Sequence, residues 1–286
     1  MARVRVVTDS TAHLDPEIVE KFQLTVLPLE VHMGNEVLED GPDFDAEVFF
    51  RQMTRLPTPP RVVAPPLEVF QQTYERLSQS TDQILSLHVS GHLTDVCEVA
   101  RRAANNLMGR CDIVVLDSET LSVGLGILVE VAARAAAAGE TLDEVVRLVR
   151  GMVQRIYVVF FVETLDYLER EGRIRPAQAL LGAMLNIKPF LTMEDGELIP
   201  MEKVRSRDKA VDKLFEFVAE FSDIERIAVL QSSPLPTEET KLLLERLDMA
   251  FPGLDVPIVV YGPLLASHIG VGALGVIVFE GEEGAL

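Results

Sequence analysis

Ile84-Leu85-Ser86-Leu87-His88-Val89-Ser90-Gly91-His92-Leu93-Thr94-Asp95 runs from a short apolar segment into a polar loop, and a helical pattern continues from Asp95 to Leu107. A bounded apolar run of this length reads as a buried strand. The same strand–loop–helix order occurs on either side. Upstream, Arg3-Val4-Arg5-Val6-Val7 ends in Thr8-Asp9-Ser10-Thr11, and Asp15 or Ser10 is placed to cap a helix over Pro16 to Phe22. Downstream, Cys111 to Leu116 ends in Asp117-Ser118 ahead of an alanine-rich helix from Val123 to Ala138. Repeated alternation of this kind predicts a parallel sheet with helices on both faces. Between these units lie an extended run from Leu24 to Met33, a helical stretch from Asp45 to Met53 and an amphipathic helix from Leu67 to Gln79. Leu56 to Pro60 and Ala64 to Pro66 read as a rigid, extended proline-rich loop.

The chain changes character after the helix Thr141 to Arg155. A strand from Ile156 to Phe161 leads to helices over Leu165 to Glu171 and Pro176 to Met184, with Gly172-Arg173-Ile174 as the loop between them. Strand patterns at Asn186 to Thr192 and Leu198 to Val204 flank a turn at Glu194-Asp195-Gly196. Helices from Ser206 to Phe221 and Glu238 to Phe251 alternate with strands at Ile227 to Ser232, Val256 to Tyr261 and Gly275 to Phe279. This half reads as α+β with a mixed or antiparallel sheet. The expected division is an N-terminal α/β lobe over residues 1–155 and a C-terminal α+β lobe over 156–286.

Ligands of open α/β sheets collect beyond the carboxyl ends of the strands. Asp9, Ser10, Ser90 and Asp117 are therefore candidate site residues. The same residue types cap helices, so both readings stay open. A second candidate is Ser267-His268-Ile269-Gly270-Val271-Gly272-Ala273-Leu274-Gly275, read as a loop that follows a strand. Its glycines permit close backbone approach to a ligand, and His268 adds one titratable donor. A histidine among glycines is also often an ordinary loop.

The chain has 286 residues, 48% of them hydrophobic, and its mean hydropathy is +0.21. That suffices for a large core and suggests an apolar cavity. No apolar run reaches membrane-spanning length, and no signal peptide pattern opens the chain, so a cytoplasmic location is expected. The net charge of −19 argues against nucleic acid and anionic membranes as partners. Cys97 and Cys111 have no metal-ligand spacing and read as buried or half-buried thiols. There is no phosphate loop, nucleophile elbow or paired-histidine metal motif, so neither a cofactor nor a metal is expected. Val123-Gly124-Leu125-Gly126 lacks the third glycine of a dinucleotide fingerprint.

Several segments, in order along the chain, resemble the DegV family of bacterial fatty-acid-binding proteins. They are Val7-Thr8-Asp9-Ser10-Thr11; Leu116-Asp117-Ser118 with Ser122 to Gly126; Glu163-Thr164-Leu165-Asp166-Tyr167-Leu168; Gly172-Arg173-Ile174; Leu185-Asn186-Ile187-Lys188-Pro189; Val204-Arg205-Ser206-Arg207; and Ser267 to Gly275. The resemblance covers essentially the whole chain. It implies a two-lobed α/β protein that buries one fatty acid between its lobes and presents it to a separate fatty acid kinase, acting as a carrier and not as the catalyst. Burying an alkyl chain yields roughly 0.8 kcal/mol per methylene. The carboxylate instead requires donors, because a buried unpaired charge is costly. The resemblance nominates Thr94, Arg205 and His268 for the head group, with Ser90 and Ser267 beside them. Asp9, Ser10 and Gly270 complete the candidate set, and Val62 and Val63 are placed at the mouth. The reading from a different class is a hydrolase or phosphotransfer enzyme using Ser10, Asp117 and His268, and a divergent family member with an altered ligand is a third.

Two departures stand out. Where the family carries Thr-Ser-Gln-Pro, this chain reads Val62-Val63-Ala64-Pro65, and Asp95 replaces a glycine. An Asp95 carboxylate within about 4 Å of the head group would repel it by roughly 4 kcal/mol at an effective dielectric near 20. As a helix cap, Asp95 would cost the site little.

Overall fold

A computed structural model describes residues 4–41, 43–56, 58–170 and 187–281. The chain divides into two compact units. The first comprises Met1–Phe44, Arg61–Gln154 and Asp195–Glu197; the second comprises Asp45–Pro60, Arg155–Glu194 and Leu198–Leu286.

The first unit is built on a four-stranded sheet of β1 (Arg5–Asp9), β2 (Thr25–Leu27), β6 (Gln83–His88) and β7 (Asp112–Asp117), in the order β2-β1-β6-β7. Every pairing is parallel: Val7 faces both Thr25 and Ser86, and Ser86 faces Val115. Val6, Val7, Ile84, Leu85 and Leu87 are buried, as the near-continuous apolar runs of a parallel sheet require. Helices α1 (Pro16–Phe22), α3 (Leu67–Ser78), α4 (Val96–Ala104), α5 (Ser122–Ala138) and α6 (Leu142–Val153) connect these strands or follow them. Asp15 caps α1, and Thr141 with Glu144 forms a reciprocal capping box on α6. Because these strands run the same way, their final residues Asp9, His88 and Asp117 lie at the carboxyl end of the sheet.

A separate three-stranded sheet of β3 (Leu29–Met33), β4 (Glu36–Asp40) and β5 (Arg61–Val63) has the order β4-β3-β5, all antiparallel. Val62 and Val63, between the two proline-rich stretches, are strand residues paired with Val31 and Glu30, and Val62 is buried. Glu36–Asp40 is a strand that its charged sequence does not announce; a turn at Gly34-Asn35, with Gly34 at φ +62°, folds it back on β3.

The second unit carries a six-stranded sheet, with β8 (Ile156–Phe161), β9 (Lys188–Glu194), β10 (Glu197–Val204), β11 (Ile224–Gln231), β12 (Ile258–Val260) and β13 (Leu274–Glu280) in the order β10-β9-β8-β13-β11-β12. Its β11–β12 pair is parallel, while β8–β9, β8–β13 and β11–β13 are antiparallel, so the sheet is mixed as expected. The turn joining β9 to β10 has both central residues at positive φ, Asp195 at +49° and Gly196 at +81°. Asp-Gly is the favoured pair for a hairpin turn of that kind. Helices α2 (Ala46–Met53), α7 (Asp166–Arg170), α8 (Arg207–Ala219), α9 (Glu238–Ala250) and α10 (Pro263–Ile269) complete the unit. Val211, Leu214 and Leu243 pack with Phe161, Val229 and Val276 in one buried cluster. Gly172, Arg173 and Ile174 and the helix expected over Pro176 to Met184 lie outside the described residues. Among the described residues, no helix is long and apolar enough to cross a membrane.

Candidate functional site

In the first unit, the residues nominated at the strand ends are largely engaged with the protein itself. Asp9 is fully buried. Its Oδ1 accepts from the Thr11 N–H (3.1 Å) and hydroxyl (2.6 Å), and its Oδ2 accepts from the Val89 N–H (3.0 Å) and pairs with His88 Nδ1 (3.0 Å). His88 Nε2 meets Ser86 Oγ at 2.7 Å, and the Tyr74 hydroxyl donates to that oxygen at 2.7 Å. This chain of buried polar groups is satisfied link by link, which is what its desolvation demands. Asp9 is therefore a brace between β1 and β6. Asp117 acts similarly, accepting from the N–H groups of Gly91 (3.0 Å) and Glu119 (2.9 Å).

Ser10 Oγ donates to Asp40 Oδ2 at 2.8 Å and accepts from the Leu29 N–H at 3.2 Å. The Asp40 carboxylate is thus the acceptor of the Ser10 hydroxyl. Both residues line a cleft of about 510 Å³ with Leu14, Val19, Val26 and Pro28. Withdrawal from water pushes the Asp40 carboxyl up from 3.8 to about 6, although its bond to Ser10 opposes the rise. The folded state therefore binds this proton more tightly than the unfolded chain. Above pH 6 the charged carboxylate subtracts from stability, and the penalty fades as pH falls from about 6 toward 4. Asp40→Asn should accordingly raise Tm by about 2–4 °C at pH 7.5, with the gain vanishing near pH 4. Thermal melts across that range check it, and a pH-independent difference would refute it.

Ser90 is buried, donates its hydroxyl to the Gly196 carbonyl at 2.6 Å, and accepts from the His92 N–H at 3.2 Å. Its one O–H is thus committed to the turn Asp195-Gly196. Thr94 is buried and leans toward Asp95 Oδ1 at 3.4 Å. Asp95 does not make the cap bond foreseen for it. It occupies the N-cap position of α4 without a side-chain cap bond, and its Oδ1 accepts from the Ala64 N–H at 3.0 Å. Asp95 is exposed, and it ties the end of β5 to the start of α4.

In the second unit, Ser267, His268 and Gly270 belong to a helix and its cap. This corrects the loop reading of the motif. Gly262 opens α10, Pro263 takes its first position and Gly270 stops it at φ +75°. Proline at the start and glycine past the end are the usual punctuation of a helix. His268 lies in the last turn, 2% exposed. Ser267 spends its hydroxyl on the Leu264 carbonyl at 2.7 Å.

The glycine segment after α10 is held from several sides. The Tyr261 hydroxyl donates to the Gly270 carbonyl at 2.9 Å, and burial pushes that phenol's pKa up. A Cβ on Gly270 would lie 2.4 Å from the Tyr167 ring. Gly272 donates to Ser232 Oγ at 3.1 Å, and a Cβ there would press on Glu163 at 3.0 Å. Glu163 pairs with Lys188 and Arg207, and Arg207 also reaches Glu239 at 2.5 Å and the Gly272 carbonyl at 3.5 Å. The corner between β10 and α8 therefore meets the glycine segment through Arg207. Arg205, two residues earlier, is exposed and makes no ion pair among the described residues. Sequence reasoning missed the bracing role of Glu163 and Arg207, though both stand in motifs it quoted. Among the described residues no cluster of ligating side chains could hold a metal ion. Burial pushes both thiols, Cys97 and Cys111, up and away from thiolate chemistry.

The chain belongs to the DegV family, whose model, described as an uncharacterised-protein family, matches residues 3–281. It is 34% identical over 277 residues to a DegV domain-containing protein of Streptomyces coelicolor, covering 96% of this chain and 98% of that one. It is 32% identical to one from Deinococcus radiodurans, covering 96% and 97%. Among solved structures it is similar to a DegV family protein of Thermus thermophilus described by its fatty acid binding, with TM-score 0.84, 28% identity and coverage of 97% and 99%. It is likewise similar to DegV of Bacillus subtilis, described as a fatty acid binding protein, with TM-score 0.85, 27% identity and coverage of 98% and 100%.

Proposed function

We propose that this protein is a cytoplasmic carrier that binds one long-chain fatty acid and presents it to a separate fatty acid kinase. The observation that carries the reading is whole-chain similarity to the Thermus and Bacillus proteins, both described as fatty-acid binding. The proposed site residues are Thr94, Ser90, Asp9, Ser10, Val62 and Val63 from the N-terminal lobe, and Arg205, Ser267, His268 and Gly270 from the C-terminal lobe. Their roles are unequal. Arg205 has no protein counter-ion among the described residues, so it supplies the attraction for a carboxylate. His268 is buried in a clamped helix end and supplies a fixed donor. Asp9, Ser10, Ser90 and Ser267 hold the surrounding backbone or carboxylates and shape the site without donating to the ligand. Asp95, exposed and bonded to Ala64, adds little repulsion because solvent screens it.

Solvent extraction of the purified protein followed by mass spectrometry tests the reading. Recovery of about one fatty acid per chain is expected. An empty extract, together with no uptake of added oleate, would refute it.

A further inference from the structure

We propose that the cleft of about 510 Å³ lined by α1, β2 and the end of β4 is a binding site for a small organic cation, a protonated amine on an apolar body. All of its lining residues belong to the first unit, and the site stands independently of the fatty-acid reading above. Its volume lies within the range of about 300–1,000 Å³ usual for small-molecule sites. Leu14, Val19, Val26 and Pro28 form apolar wall, and each is only half-buried, so a ligand's body gains by covering them.

The charge of the lining decides what that ligand carries. Glu20, Glu39 and Asp40 all line the cleft, and no lysine or arginine does. None of the three carboxylates has a cationic partner among the described residues. Asp40 is the half-buried one. Its Oδ2 accepts from Ser10, and its Oδ1 accepts no hydrogen bond among the described residues. One hydroxyl falls short of what an ionised carboxylate can accept. Desolvation, with the charge of Asp9 adding to it, holds the Asp40 pKa near 6 against that hydroxyl, so the carboxylate is incompletely compensated at neutral pH. His13, also in the wall, lies below its ordinary 6.5 and is neutral at pH 7.5. Both oxygens of Asp9 are spent within the protein.

Other ligand classes fit less well. An anion would meet three carboxylates and no opposing charge. Among the described residues no cluster of ligating side chains could hold a metal ion. A neutral apolar molecule would cover the wall but strip water from Asp40 without pairing it, and an unpaired carboxylate out of water is costly. An ammonium group on an apolar body meets both needs. Its N–H groups donate to Asp40 Oδ1 in charge-assisted bonds, and its body covers the half-buried side chains. Glu20 and Glu39 are exposed, so they add attraction from solution that salt screens.

The test titrates the ¹⁵N-labelled protein with phenethylamine, the uncharged phenethyl alcohol and the anion hydrocinnamate at about pH 7.5, where Asp40 is ionised. Amide shifts are expected in the segments that line the cleft, around Ser10 to Glu20, Val26 and Glu39 to Gly41. The amine should bind about ten-fold more tightly than the alcohol, and the anion should not bind. Asp40→Asn keeps an acceptor for Ser10 and removes the charge. It should erase the amine's advantage and leave the alcohol's affinity unchanged, while a Tm no lower than that of the unaltered protein shows the variant to be folded. Equal affinity for amine and alcohol, or an amine advantage that survives Asp40→Asn, would overturn the site. So would shifts confined to other residues, binding of the anion in the cleft, or no binding by any of the three.

Discussion

Gly126→Ala should cost the protein about 3 kcal/mol and lower its Tm by roughly 10 °C, although alanine is the better helix former. The reason is a single contact. Gly126 lies in the first half of α5, where a Cβ would fall 2.3 Å from the backbone oxygen of Ala12 and 3.7 Å from Leu14 Cδ2. Ala12 ends the short 3₁₀ turn Ser10–Ala12, whose start is tied down by the Asp9 carboxylate. Asp9 is in turn fixed to β6 through His88 and Val89. Neither side can retreat by the ångström that a methyl group requires without breaking that brace. Gly151 is the internal control. It sits in α6 with nothing within 4 Å of a built Cβ, so Gly151→Ala should gain up to about 1 kcal/mol. Chemical denaturation of both variants decides the matter. Equal behaviour of the two would show that α5 does not depend on close approach to the turn.

Replacing His268 by alanine is expected to weaken oleate binding by ten- to a hundred-fold, the range for one lost hydrogen bond to a charged group, roughly 1.5–3 kcal/mol. The imidazole is buried in the last turn of α10, and three independent contacts immobilise the segment beyond it: Tyr261 on Gly270, the Tyr167 ring against Gly270, and Ser232 on Gly272. A donor held so firmly loses little entropy on binding. Because His268 is buried, its removal will also lower stability, so affinity is to be compared with His268→Gln, which keeps a donor and should recover part of the loss. Arg205→Ala supplies the second arm. Arg205 is exposed, so its loss should leave Tm within about a degree, while oleate affinity falls about ten-fold. Displacement of a fluorescent fatty acid measures all three. If His268→Ala and Arg205→Ala both bind oleate within two-fold of the unaltered protein, the proposed head-group grip is wrong.

Some of this was readable along the chain because it depends on local chemistry. The strand–loop–helix units around Asp9, Ser90 and Asp117 were visible from apolar runs and capping residues, and the parallel sheet followed. The Asp195-Gly196 hairpin was visible because left-handed backbone at two successive positions nearly demands such a pair. The helix carrying His268 went unrecognised even though Gly262-Pro263 and Gly270 mark its ends; seven residues between glycines read as readily as a loop. Strand β4 was missed because Glu36, Glu39 and Asp40 hide its alternation, and β5 because prolines flank it on both sides.

What residue order alone determined was the kind of backbone each segment forms and the family to which the chain belongs, since both follow from local preferences and ordered motifs. Only the tertiary structure decided which hydroxyls and carboxylates are already spent. Ser90 finds its acceptor 106 positions away at Gly196, and Asp9 finds His88 79 positions away. A hydrogen-bonding group satisfies whichever partner folding brings within about 3 Å, and that distance is set by packing, not by spacing along the chain.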